Sequence, residues 1–424
     1  MDFRPPIPHL WALAPFVLLL LAIATLPFLS KRIWQQFYPH ISVGLGAITV
    51  VYYALAFHAW HALAHAGLDY LSFMALIGSL FVVAGGIHIQ VEGPTTPLSN
   101  VLFLALGAIL TNLIGTTGAS MLLIRPWIRL NKNRIAPYHI VFFIFIISNC
   151  SGCLTPIGDP PLFLGFLKGI PFIWTLQQLW PPWLVTNLGL LTIFWITDLR
   201  GLRSIGGISS GKALNRATQT WRFTGLHNLI FLGLILIGVF IPSPWREILM
   251  IVSTVGSFFL TSKQVHCDNE FNFHPIQEVG WLFLGIFSTM IPVLDYLRVH
   301  ATSMGLNGAS EYYYMCGSLS ALLDNAPTYL TFLVMALGAH QLDSGNPQDV
   351  LSALREFPGI VASISLGAVF FGAMTYIGNG PNFMVKTISE QLNVPMPGFF
   401  SYFFRYSLPI LAPLLILIGW LFVH

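Results

Sequence analysis

Thr155-Pro-Ile-Gly-Asp-Pro-Pro-Leu-Phe163 and Thr375-Tyr-Ile-Gly-Asn-Gly-Pro-Asn-Phe383 are two versions of one pattern, 220 residues apart in a chain of 424. They share Thr, Ile, Gly, Pro and Phe at matching places. Each interrupts a long apolar stretch with Gly, Pro and a polar side chain, which leaves backbone N–H and C=O groups without helix partners. Hydrocarbon cannot satisfy such groups, so breaks of this kind persist only where they line a cavity within protein. A matched pair of interrupted apolar segments, one in each half, points to the binding site of a secondary transporter.

Composition agrees. Hydrophobic residues make up 55% and charged residues 8%, against about 25% charged in an ordinary soluble domain. The mean hydropathy is +0.74. This implies a multi-pass integral protein of the inner (plasma) membrane, with lipid as its surroundings. A net charge of +3, spread over short loops, argues against a nucleic-acid partner. Four cysteines in a chain this long are no disulfide framework. The first apolar run, about 11–29, lacks a small-residue cleavage site and is followed by Lys31 and Arg32, so it reads as a retained helix.

About 20 apolar residues span a bilayer. On that ruler the first half offers spans near 11–29, 40–62 and 69–91, a helical hairpin at about 100–124, a broken helix at about 136–174 and a span near 183–197. The second half repeats the order, with spans near 224–241, 245–262 and 276–296, a hairpin at about 309–338, a broken helix at about 359–392 and a last span near 405–422. The hairpins match as Ala108-Ile-Leu-Thr-Asn112 against Ala321-Leu-Leu-Asp-Asn325. The expected fold is therefore an all-α polytopic membrane protein of two repeats, 11–197 and 223–424, joined by a linker at 198–222. Each repeat has five crossings, one of them a broken helix, plus a re-entrant hairpin. Five is odd, so the second repeat enters the membrane upside down.

Loop charge supports the count, because cytoplasmic loops carry the excess of Lys and Arg. One side collects Lys31 and Arg32, then Arg125, Arg129, Lys132 and Arg134, then Arg200, Arg203, Lys212, Arg216 and Arg222. The opposite loops, near 63–68 and 175–182, hold no Lys or Arg. The linker is then cytoplasmic and both termini lie outside.

An ionisable side chain at membrane depth is costly and usually faces a cavity. Asp159 in the first break and Asp324 at the second hairpin tip fit that description, the plain alternative being ordinary caps at a helix start. Asn112 and Asn325 read as paired hairpin-tip amides. With hydroxyls such as Thr111, Thr116, Thr117, Ser120 and Thr328, they can replace the water shell of a small hard cation. Unwound carbonyls at 149–158 and 376–380, from Asn149, Gly158, Gly378 and Asn379 among others, complete the candidate site. Capping of the hairpin's own helices is the competing role for these residues. Helix starts at Pro160 and Pro381 point positive dipole ends inward and favour an anion. Chemistry alone allows a cation, an anion or both.

Other features read as structural. His58, His61 and His65 share a helical face as amphipathic residues beside Trp60, with a pH or metal role as the lesser reading. Cys150 and Cys153 are small packing residues. Lys168 and Lys386 snorkel to the interface, with cargo contact the minority reading.

Asn149-Cys-Ser-Gly-Cys-Leu-Thr-Pro-Ile-Gly-Asp-Pro-Pro161, Asp324-Asn-Ala-Pro327 and the Gly-Thr-Thr-Gly-Ala-Ser run at 115–120 resemble the ion transporter superfamily. Within it they are most similar to NhaD-type sodium/proton antiporters and the neighbouring citrate and arsenite permeases. The resemblance covers nearly the whole chain. It implies a scaffold and a moving transport domain carrying both hairpins, alternating access of elevator type, often a homodimer, and an ion site at Asn112, Asp159, Asp324 and Asn325. Antiporters of this type carry Asp-Asn at both hairpin tips, where this chain has Thr111-Asn112 at the first. Dicarboxylate carriers carry Ser-Asn-Thr at both, which this chain has at neither.

The first reading is a sodium/proton antiporter in which Asp159 and Asp324 bind Na⁺ when ionised and release it on protonation. The alternative is Na⁺- or H⁺-coupled transport of a small anion such as citrate, a dicarboxylate or arsenite. No cofactor and no enzymatic activity are expected. The Gly-x-Gly-Asp signature of an intramembrane aspartyl protease is absent, the chain having Pro156-Ile-Gly-Asp159 instead.

Overall fold

The computed structural model describes residues 8–92, 95–204 and 220–423. Among the described residues the fold is all-α apart from one two-stranded ribbon, and eight helices are long and apolar enough to cross a bilayer. In the first half, α1 (Ala14–Leu29), α2 (Lys31–Ala56) and α3 (Trp60–Gly85) precede β1 (His88–Glu92) and α4 (Pro97–Leu130). There follow α5 (Pro137–Ile146), α6 (Pro160–Leu167) and α7 (Phe172–Ser204).

In the second half β2 (Thr220–Thr224) pairs antiparallel with β1, His88 opposite Thr224. Then come α8 (Asn228–Val239), α9 (Trp245–Leu260), α10 (Lys263–Asp268), α11 (His274–His300), α12 (Ala309–Ser320) and α13 (Asn325–Ala339). The chain closes with α14 (Pro347–Glu356), α15 (Pro358–Phe371), α16 (Gly380–Gln391) and α17 (Phe399–Phe422).

The centre of the molecule is made by the first halves of the two broken helices. Residues Ile140 to Ile147 are completely buried, and α15 buries Val361, Ile364, Ala368, Val369 and Phe370 in the same way. A helix apolar on every side belongs inside protein or lipid. Helices α1, α2, α7 and α17 instead leave Leu, Ile, Val and Trp side chains exposed, a surface suited to hydrocarbon.

α4 is a hairpin rather than a span. Thr96 and Ser99 cap each other at its start, and Gly115 (φ 75°, ψ 160°) breaks it into two arms. Only Gly adopts this conformation freely. Asn100 and Asn131 exchange side-chain hydrogen bonds of 2.8 and 3.1 Å, whereas a straight helix would hold them about 46 Å apart. α12 and α13 form the second hairpin, with the rings of Tyr312 and Phe332 meeting at 6.5 Å across its arms and Asp324 capping α13.

The hairpins enter from opposite ends of α11, whose 27 residues rise about 40 Å. Just before its start, Glu270 and Asp268 accept hydrogen bonds from Arg125 and Arg129 near the end of the first hairpin. At its other end the Arg298 backbone and the Ala301 methyl pack on Gly338 near the end of the second hairpin, and Arg298 donates to Ser344. Packing is reciprocal as well: α2 lies on α11 and α3 on α9, while α6 touches α13 and α16 touches α4.

Several sequence boundaries shift. The turn expected near 63–68 lies at 57–59, where His58 has φ 49°. The Ala-, Leu- and His-rich run after Trp60 simply continues as helix, so His58 precedes α3 and does not share its face. His61 and His65 do, with ring centroids 4.8 Å apart. The end of the 69–91 span is β1. The second hairpin runs on to Ala339, and the last span starts earlier, at Phe399. Both ends of the expected linker are structured, since α7 continues to Ser204 and residues 220–222 belong to β2. Lys212 and Arg216 lie outside the described residues. Short α14, set at 100° to α15, is an element the hydropathy pattern does not announce.

Candidate functional site

Each helix break begins with a single 3-10 turn, Cys150–Leu154 in the first and Gly372–Met374 in the second. In both, the backbone then folds back until two glycines touch. A Cβ on Gly158 would overlap the Gly152 carbonyl, and one on Gly378 would sit 2.6 Å from the Gly372 carbonyl. The glycines are there because nothing larger fits. Thr155 and Thr375 close each loop alike: their hydroxyls accept from Gly158 and Gly378 N–H (3.1 and 3.2 Å) and donate to the Asn112 and Ala321 carbonyls (2.7 and 2.6 Å).

These contacts correct the expected pairing of the hairpins. Asn112 matches Ala321, as Thr111 and Ser320 match in donating to the Ile147 and Ala368 carbonyls. Gly115 then corresponds to Asp324, both at the bend, and Thr116 to Asn325, both opening the second arm. The true offset is four residues shorter than the one suggested by the shared Asn.

Thr116 and Asn325 converge on Asp159. The Thr116 hydroxyl donates to Oδ1 at 2.6 Å, Asn325 Nδ2 to Oδ2 at 2.6 Å and Asn379 Nδ2 to Oδ1 at 3.2 Å. Asp159 is 1% exposed. It stands just ahead of Pro160 and makes no side-chain cap to its own helix, so its carboxylate is free for these partners. Both hairpins and both breaks thus meet on one carboxylate. The Asn325 side-chain oxygen is buried with no hydrogen-bond partner, and unsatisfied buried acceptors are uncommon. A cavity of about 20 Å³, lined by Gly115, Thr116, Pro156 and Asp159 among others, adjoins the carboxylate. That is room for about one water or small ion.

A larger cavity of about 500 Å³ reaches the site past Thr117, Arg125, Glu278, Asp324, Tyr376 and Asn379. Asp324 is half-buried there. Its Oδ1 accepts from Ala326 N–H (3.0 Å), and the residue lines the cavity as a second carboxylate.

The remaining expected residues hold the frame. Asn112 spends its amide on the Ala108 carbonyl (3.0 Å) and Leu154 N–H (3.1 Å), and so braces the first break without touching Asp159. Thr111 bonds the Gly107 carbonyl at 2.8 Å, Ser120 pairs with Ser148 at 2.8 Å and Thr328 bonds the Asp324 carbonyl at 2.9 Å. Gly158 O receives Thr116 N–H at 2.8 Å.

Asn149 joins the two breaks, donating to Asn382 Oδ1 at 2.6 Å, while Asn379 donates to Asn149 Oδ1 at 3.2 Å. Asn382 in turn donates to the Gly372 and Thr375 carbonyls (2.8 and 2.9 Å). Asn382 is a residue the sequence reading passed over, although it stands where the first copy of the motif has Leu162. Lys168 pairs with Asp69 at 2.6 Å and Lys386 with Glu390 at 2.8 Å, both away from Asp159. Cys150 and Cys153 are buried free thiols.

An oxygen-rich, buried point where two re-entrant hairpins meet two helix breaks can bind a small cation or a proton, and the wider cavity beside it can admit an organic molecule. Residues 6–423 match the protein family described as "Putative citrate transport". With nearly its whole length matched, the chain belongs to that family, and it is a multi-pass membrane transport protein. No curated protein matches it closely enough to count as a relative.

Proposed function

We propose that this transporter binds Na⁺ and H⁺ in alternation at Asp159 and works as a sodium/proton antiporter. The observation that carries this reading is the buried Asp159 carboxylate, served by donors from three other elements beside the unpartnered Asn325 oxygen. Na⁺ is the cargo. Asp159 and the Asn325 oxygen, with Asp324 across the cavity, supply the hard oxygen ligands such an ion prefers. A proton and a cation compete for one carboxylate, so loading one releases the other and the two fluxes are coupled. Hairpins and breaks share hydrogen bonds across both repeats, which suits their moving as one body against α2, α3, α9 and α11. Charge in the larger cavity points the same way, with Asp324 and Glu278 against Arg125.

A second reading is favoured by the family description and by the size of that cavity: a small carboxylate such as citrate is carried together with the cation. Arg125 and the start of α16 at Gly380 are its anion-attracting features.

Proteoliposomes under separate Na⁺, H⁺ and citrate gradients distinguish the two. Antiport predicts Na⁺-driven proton flux without citrate, lost in Asp159→Asn. Citrate accumulation that requires the cation gradient, with no proton flux in its absence, would replace antiport by the second reading.

A further inference from the structure

The two cavities beside the Asp159 site lie at matching places in the two repeats. In the first repeat α3 supplies Leu76, Ile77 and Leu80, and α6 supplies Pro160 and Phe163, to the cavity of about 20 Å³. In the second, α11 supplies Glu278, Val279 and Leu282, and α16 supplies Gly380, Met384 and Thr387, to the cavity of about 500 Å³. The elements correspond, since α3 and α11 each lead to a hairpin, and α6 and α16 are the second halves of the two broken helices. The space between them is shut in one repeat and open in the other.

The shut side is held by charge. Lys168, at the end of α6, donates to Asp69 Oδ2 on α3 at 2.6 Å. Ser72, three residues further along the same face of α3, donates to Glu247 at 2.6 Å. Glu247 also accepts from Arg246 at 3.0 Å, and the Arg246 guanidinium carbon stands 5.9 Å from the centre of the Phe166 ring on α6, within cation–π range. Helices α3, α6 and α9 are thus tied at one corner. α6 is itself fitted to the second hairpin and to α14: a Cβ on Gly165 would overlap the Tyr329 hydroxyl of α13, and one on Gly169 would sit 3.2 Å from Pro347. Parting the corner therefore frees α6 together with the elements it packs on. On the open side Lys386 of α16 pairs within its own helix, with Glu390 at 2.8 Å.

We propose that the Lys168–Asp69 pair, braced by Arg246 on Phe166, is a latch that keeps the α3–α6 route to Asp159 closed while the α11–α16 route is open, and that it parts when the site is presented to the other side of the membrane. The two side chains are 19% and 21% exposed. An ion pair so placed is weak, which suits a contact that must open in every cycle and that shifts populations without locking one state. The latch serves whether a cation is carried alone or together with a carboxylate.

The test reads the two routes by thiol labelling, independently of any cargo. Cys267, the exposed native thiol, is replaced by Ser, and Ile77→Cys or Thr387→Cys is introduced to report on the closed or the open route. Maleimide labelling rates of purified protein are compared with and without Lys168→Gln or Asp69→Asn. Either variant is expected to raise labelling of Ile77→Cys about two- to fivefold, the range of a partly exposed ion pair, while Thr387→Cys, which reports the major state, changes little. Exchanging the charges, Lys168→Asp with Asp69→Lys, should bring the rate back toward that of the wild type. The buried thiol Cys316 monitors unfolding in the same samples. Unchanged labelling of Ile77→Cys in both variants, a rise that the charge exchange does not reverse, or a rise shared by Cys316, overturns the latch.

Discussion

The two helix breaks are alike in backbone and unlike in charge. Gly152 against Gly158 repeats as Gly372 against Gly378, and Thr155 repeats as Thr375. Yet Asp159 faces Asn379, and at the hairpin bends Gly115 faces Asp324. The frame is symmetric because both halves must solve one problem, satisfying an unwound backbone inside a membrane. The chemistry is asymmetric, with one carboxylate and one amide at the point where the breaks meet; two carboxylates in hydrogen-bond reach of each other there would repel strongly at low dielectric. The amide at 379 donates to the carboxylate that its counterpart supplies. Symmetry positions the site, and two charge differences, Asp159 against Asn379 and Asp324 against Gly115, set its chemistry.

The sharpest way to break this comparison is to exchange the two residues. Asp159→Asn is expected to reduce coupled flux in proteoliposomes to background while the protein still inserts. Adding Asn379→Asp to it should restore measurable flux, because the carboxylate returns to the same point from the other break. No recovery in the double variant would mean that the two breaks are equivalent in shape only.

The hairpin mouths differ next most. Asp198, fully buried, receives Arg134 through two hydrogen bonds (2.9 and 2.8 Å), Tyr138 at 2.8 Å and Asn100 at 3.1 Å. The second mouth relies on Arg298, paired with a more exposed Asp343 at 3.2 Å. Arg134→Ala should therefore cost about 3–5 kcal/mol by leaving a buried carboxylate short of its partner, whereas Arg298→Ala, which removes a partly exposed arginine 3.8 Å from Asp295, should cost less. Thermal unfolding in detergent checks both. Equal losses would show that the first hairpin is no more firmly anchored than the second.

Glycine packing comes third. Gly158→Ala and Gly378→Ala should each lose about 1–3 kcal/mol through overpacking, while Gly380→Ala, with no atom within 4 Å of the added carbon, should be close to neutral. Unfolding temperatures of the three variants decide this.

These differences also explain what the sequence disclosed. The breaks are legible because Gly, Pro and Asp have no other business in the middle of an apolar run, and their spacing repeats. The first hairpin bend is misread because Thr111-Asn112 looks like Asp324-Asn325, whereas the backbone turns at Gly115, where a positive φ is needed. The turn at 57–59 carries neither Gly nor Pro and leaves no trace in hydropathy. Asp198 sits among basic residues that serve as orientation signals, so its burial against Arg134 and Tyr138 is a tertiary fact that local pattern does not carry. Asn382 is visible only once the two motifs are aligned and the Leu-to-Asn difference is taken as a contact between breaks.

The smallest expected effect separates Thr116 from Asn325. Both donate to Asp159, and hydrogen bonds to charged groups are worth about 1.5–3 kcal/mol. Thr116→Val should alter Na⁺ and H⁺ binding together, since it removes only a donor. Asn325→Ala should also remove the unpartnered oxygen and weaken Na⁺ by a further few-fold relative to H⁺. Sodium titrations at several pH values measure the split, and identical behaviour of the two variants would remove Asn325 as a cation ligand.

The proposal that Na⁺ and H⁺ share a site at Asp159 is tested most directly by adding Na⁺ to purified protein in weakly buffered detergent solution and recording the protons released. The account predicts proton release that saturates with Na⁺ in the wild-type protein and vanishes in Asp159→Asn. Saturable Na⁺ binding with no proton release in the wild type at any pH, or undiminished release in Asp159→Asn, would contradict it.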